Sequence, residues 1–83
     1  SWPFQIAYEG DFWSLCTMTF GQKVDFLNRT RVSARDYTVY SLMQKNDTHL
    51  LLYKEANVYP HYIMKMMSHA YHKLISSFLD FFF

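Results

Sequence analysis

The sequence predicts an α+β fold: a small antiparallel β-meander of about four strands, packed against one long C-terminal amphipathic helix. Three observations lead there. Aromatic, β-branched and other apolar residues alternate with period two through much of residues 1–59. A helical period takes over after Pro60. Only two Gly and two Pro interrupt the 83 residues, so the chain reads as a single unit over 1–83, mainly β to residue 59 and helical over 60–83.

The first strand rests on Trp2, Phe4, Ile6 and Tyr8, which alternate with Pro3, Gln5, Ala7 and Glu9. Pro3 at its start suits an edge strand. Glu9-Gly10-Asp11 signals a turn. Residues 12–20 carry no charge and divide into two sets, a second strand. One set is Phe12, Ser14, Cys16, Met18 and Phe20; the other is Trp13, Leu15, Thr17 and Thr19. Gly21-Gln22 is expected to turn the chain, with residues 23–27 returning as a hairpin strand that shows Val24 and Phe26 on one face. The polar, basic stretch 28–35 reads as a strand extension or loop.

Residues 36–44 resume the alternation, with Tyr37, Val39, Ser41 and Met43 set against Thr38, Tyr40 and Leu42. Turn formers occupy 45–48. Residues 49–53 then close a second hairpin; Leu50, Leu51 and Leu52 also suit a helix, but the extended pattern of Val58 and Tyr59 before Pro60 favours the strand. Pro60 suits a first helical turn. Beyond it Ile63, Met67, Ala70, Tyr71, Leu74, Phe78 and Phe81 fall in one arc at about 100° per residue. Met64, Ile75 and Phe82 widen the arc, and Lys65, His69, His72, Lys73, Ser76 and Asp80 lie opposite. The helix is expected to run for about 20 residues, ~30 Å, and needs a cover for its apolar stripe.

Composition narrows the function. Charged residues are 18% of the chain, below the ~25% usual for globular domains. Aromatic residues reach 20%, more ring surface than so small a body hides easily. Eight Lys+Arg against seven Asp+Glu give a net charge of +1, which argues against nucleic acid. The longest uncharged run, 12–22, is about 11 residues, short of the ~18 of a spanning helix. Cys16 is alone, which excludes an internal disulfide or a CxxC pair and reads as a small buried hydrophobe. No carboxylate pair, nucleophile motif or phosphate loop is present, so no enzyme and no cofactor are expected.

The expected function is therefore a non-catalytic interaction or accessory subunit of a larger assembly, touching other subunits or copies of itself through aromatic surface and the C-terminal helix. The closing Phe81, Phe82 and Phe83 motivate this, since rings at a chain end ask for a cover. Protein contact is favoured over interfacial membrane contact because the helix has only Lys65 and Lys73 on its polar face. The alternative is a small carrier with an apolar or aromatic ligand between sheet and helix, lined by Trp13, Phe26, Tyr40, Met43, Met67, Tyr71 and Phe78. Arg29, Arg31 and Arg35, with Ser33, would share a face if extended and could meet phosphates or acidic partner residues, with Asp25 and Asp36 available to satisfy them. A weaker alternative places a metal at His61, His69 and His72, where HxxH needs a third ligand. Two Asn-x-Thr sequons, at Asn28 and Asn46, fall on expected turns. An intracellular or organellar setting, such as the mitochondrion, is favoured over secretion.

Overall fold

The computed structural model describes residues 4–68 together with Ser76 and Asp80. Its elements follow in the order β1 (Phe4–Tyr8), β2 (Asp11–Thr19), α1 (Phe20–Val32), β3 (Thr38–Lys45), β4 (Thr48–Lys54) and α2 (Pro60–Ser68). The α+β class stands, with one antiparallel four-stranded sheet. The meander does not. The strand order is β1-β2-β4-β3, because the chain leaves β2 through a helix, lays β3 on the far edge and then returns β4 into the gap.

The β1–β2 hairpin reverses at Glu9 and Gly10, whose φ values of 47° and 85° are both left-handed, as a tight two-residue turn requires. The second turn, at Asn46 and Asp47, again begins with a left-handed residue, Asn46 at φ 53°. Asn tolerates that region better than most side chains do.

Residues 20–32 form a helix, where a turn, a return strand and a loop were expected. The cause is local. Thr19 stays extended, and its hydroxyl accepts the Gln22 amide at 3.2 Å while the Gln22 side-chain oxygen accepts the Thr19 amide at 3.0 Å. This reciprocal capping box starts a helix at Phe20. Asp47, on the β3–β4 turn, accepts the Phe20 amide at 3.2 Å and ties that start to the sheet. Asn28 consequently sits on a helix and not on a turn.

The sheet lies between the helices. On one face Ile6, Trp13, Leu15, Leu50 and Leu52 close against Ile63 and Met66 of α2. On the other, Cys16, Met18 and Leu51 meet Phe26 of α1, with Val39 and Tyr53 alongside. Central strands β2 and β4 are covered on both sides, which is why Leu50, Leu51 and Leu52 run together without alternation. α1 contributes no fully buried residue, so its layer is the thinner one.

As described, α2 spans nine residues and is not a long helix. The remainder of the expected 60–83 span lies outside the described residues, apart from Ser76 and Asp80, both exposed helical positions. Within α2 the buried pair is Ile63 and Met66, while Met67 packs at the margin. Met64, expected to widen the apolar stripe, is 73% exposed. The helix meets the sheet along its i, i+3 row, and that rotation turns Met64 outward. In β3 a register shift between Ser41 and Met43 brings Met43 opposite Leu50, on the side of Tyr40 and no longer on that of Val39.

Candidate functional site

Several polar side chains meet where the start of β2, the end of β4 and the start of α2 converge. Asp11 opens β2 directly after the Glu9-Gly10 turn, and Lys54 closes β4. Pairing of β2 with β4 brings these ends together, and the Lys54 ammonium reaches Asp11 Oδ1 at 3.1 Å. Lys54 is only 15% exposed there, Asp11 42%. Tyr62, one turn into α2, aims its hydroxyl at the other carboxylate oxygen of Asp11 and at the Tyr8 carbonyl, both at 3.1 Å. Its ring meets Tyr8 edge-on at 5.4 Å. The sheet-to-α2 packing of Ile63 and Met66 holds Tyr62 in this position.

One wall is the loop between β4 and α2, and Thr38 fixes it. The Thr38 hydroxyl donates to the Ala56 carbonyl and accepts the Val58 amide, the latter at 2.9 Å. Tyr59 follows, 73% exposed, with its ring stacked on His61 at 6.1 Å and 19°. Together these residues surround a cavity of about 290 Å³ lined by Asp11, Lys54, Asn57, Tyr59, His61 and Tyr62. Outward from it α2 shows His61, Met64, Lys65 and Ser68.

Ionisation on this floor moves away from neutrality in both directions. The hydrogen bond from Lys54 holds the Asp11 carboxyl below its ordinary 3.8; burial opposes it as the next largest effect, and Tyr62 and the Lys54 charge add to the lowering. Desolvation pushes the Tyr62 hydroxyl up to about 12, and its hydrogen bond to Asp11 pushes the same way. A general acid or base works best with a pKa near the operating pH. Here the Asp11 shift is downward and the Tyr62 shift upward, both away from the neutral range.

Residues singled out from the sequence are distributed differently. Trp13 and Tyr40 come together at 6.5 Å in the core under α2, with Met67 at its edge. Phe26 lies across the sheet, 4.7 Å from Tyr53 and 6.2 Å from Tyr37. Met43 is 42% exposed on edge strand β3. Tyr71, Phe78, Phe81, Phe82 and Phe83 lie outside the described residues. Arg29 and Arg31 occupy the last turn of α1, so no extended row of three arginines forms. Arg35, in the loop beyond, pairs with Glu55 at 3.0 Å and not with Asp25 or Asp36. His61 is at the cavity rim, whereas His69 and His72 fall outside the described residues; among the described residues no three His, Cys, Asp or Glu side chains converge. A second hollow of about 230 Å³ beside α1 is lined by Met18, Gln22, Asp25, Phe26 and Arg29.

Sequence reasoning missed Asp11, Thr38, Lys54 and Tyr62. The Lys54–Asp11 and Tyr62–Asp11 bonds span 43 and 51 positions, so no local spacing announces them. Among the described residues no helix is long and apolar enough to cross a membrane. No family model, no curated protein and no solved structure matches the chain.

Proposed function

We propose that the chain is a non-catalytic protein-interaction module that seats a partner subunit, or a second copy, on the rim around the Asp11–Lys54–Tyr62 cavity. One observation carries the reading: Tyr59 on the cavity wall and Met64 on the outward face of the adjoining α2 are each 73% exposed, while the polar groups of the floor are already paired. Aromatic and Met side chains are enriched where proteins dock, and an anchor of this kind dominates binding energy. Since Asp11 and Lys54 neutralise each other, covering the cavity strands no lone charge, which would cost several kcal/mol. The Asp11 and Tyr62 shifts, both away from the neutral range, support a binding role over an acid–base one.

The carrier reading has less support. Trp13, Leu15, Leu50, Leu52 and Met66 are fully buried between sheet and α2, filling one another's space, and Phe26 faces the other helix.

Photo-crosslinking tests the module directly. A benzophenone side chain replaces Tyr59 in one version and Val32, 86% exposed on the opposite side of the sheet, in another. In cells that express the chain, position 59 is expected to yield one discrete adduct and position 32 none. Equal yields at both positions, or no adduct at 59, would contradict the proposal.

A further inference from the structure

The structure assigns a modification site outside the cavity lining, at the end of α1: we propose that Ser33 is phosphorylated by a protein kinase whose substrate groove is acidic. Ser33 is the C-cap of α1, where the backbone leaves the helix and becomes extended, at φ −68° and ψ 147°. The residue is exposed, as are its neighbours Val32, Ala34 and Arg35. Its amide remains bonded to the Arg29 carbonyl at 3.1 Å, and its hydroxyl oxygen accepts the Arg35 amide at 3.2 Å. The segment Arg29-Thr30-Arg31-Val32-Ser33 therefore presents an accessible hydroxyl with arginines two and four residues before it. Among the described residues neither Arg29 nor Arg31 has an ion-pair partner, although both are exposed on the last turn of α1. Charge patterns of this type are what kinases use to choose substrates.

The reaction balances without any group from this chain beyond the hydroxyl. Ser33 Oγ attacks the γ-phosphorus of a nucleoside triphosphate, forming the new O–P bond as the bond to the β-phosphate oxygen breaks. The nucleoside diphosphate leaves, and the hydroxyl proton passes to the kinase's base.

A dianion at a helix C-terminus opposes the helix dipole, so arginine must hold it. Three guanidinium groups are within reach in sequence. Arg35 is now bridged to Glu55, but with 70% and 42% exposure that pair is a weak, solvent-screened one. Phosphate, which takes two parallel N–H bonds from a guanidinium, is the better acceptor. Phosphorylation is thus expected to draw Arg35 from Glu55 and loosen the link between the α1–β3 and β4–α2 loops.

The test uses the full chain, ATP and the catalytic subunit of a cyclic-AMP-dependent protein kinase as the probe, with sites mapped by mass spectrometry. One phosphate on Ser33 is expected, and none on Ser33→Ala. The double variant Arg29→Gln/Arg31→Gln should melt like the parent yet lose about tenfold or more in initial rate. In the phosphorylated protein the second phosphate pKa, followed by phosphorus NMR, should fall below the usual ~6 and recover in Arg35→Gln. No phosphate on the folded chain, phosphate on Thr30 instead, a rate indifferent to the two arginines, or an unshifted phosphate titration would each overturn the proposal.

Discussion

Tyr62 directs its hydroxyl at a carboxylate that an ammonium already holds, so groups from distant parts of the chain shift the ionisation of Asp11 and Tyr62. The two perturbed groups act at opposite ends of the pH scale. Asp11 has its folded pKa depressed, so its contribution to stability is complete above its ordinary 3.8 and is lost as pH falls through the lower folded value. Tyr62 has its pKa raised, so its contribution is complete below the ordinary 10.0 and is lost as pH rises through about 12. Between those limits the floor is insensitive to pH. Replacing Tyr62→Phe removes the hydroxyl and keeps the ring against Tyr8. We expect the Asp11 carboxyl, followed by carbon NMR, to titrate closer to its ordinary value and unfolding stability to fall by ~1–2 kcal/mol. An unmoved Asp11 titration would show that the hydroxyl does not matter to the carboxylate. Trp13 is the converse case: its ring is fully buried while its N–H finds no partner among the described residues. Apolar packing of so large a ring outweighs an unmet donor, which costs about 1–3 kcal/mol.

At the scale of elements, α1 depends on its cap more than on its amphipathicity. No side chain of α1 is fully buried, so little tertiary packing compensates for a lost terminus. Thr19→Ala should therefore lower stability by ~1 kcal/mol and reduce helical circular dichroism before the sheet is lost. A variant with an unchanged urea midpoint would mean that Asp47, through its bond to the Phe20 amide, is the sufficient cap. This helix also shows where sequence reading stops. The alternation of Val24 with Phe26 suits a strand as readily as those residues suit a helix, and Gly21 suggests a turn. The decisive pattern, Thr19 followed at three residues by Gln22, is a local capping signal that the strand expectation passed over. β1, β2 and both hairpin turns were legible because period two and turn formers are local signals, whereas β4, with its unbroken Leu50-Leu51-Leu52 run, read as a strand only from the extended pattern that follows it. The bulge in β3 and the order β1-β2-β4-β3 were not, since each depends on which strand pairs with which. For the candidate site, only His61 had been singled out. The other groups meet through contacts between chain ends of different strands, and no local period records those.

On the scale of the whole molecule, two helices cover two sheet faces unequally. The α2 side has the larger and better-filled core, and it also carries the exposed Tyr59 and Met64. Burying the part of such side chains that remains wet offers roughly 1–2 kcal/mol apiece. That gain is available only to an associating species, because neither side chain is needed to close the core. Folding and association should thus separate cleanly on substitution. Sedimentation velocity over a range of concentrations, on the parent chain and on the Tyr59→Ser/Met64→Ser variant, makes that separation visible. The parent is expected to sediment faster as concentration rises, while the variant remains a monomer with the same melting temperature. A variant that associates equally well, or a parent that stays monomeric throughout and also gives no adduct from position 59, would contradict the docking role assigned to this rim.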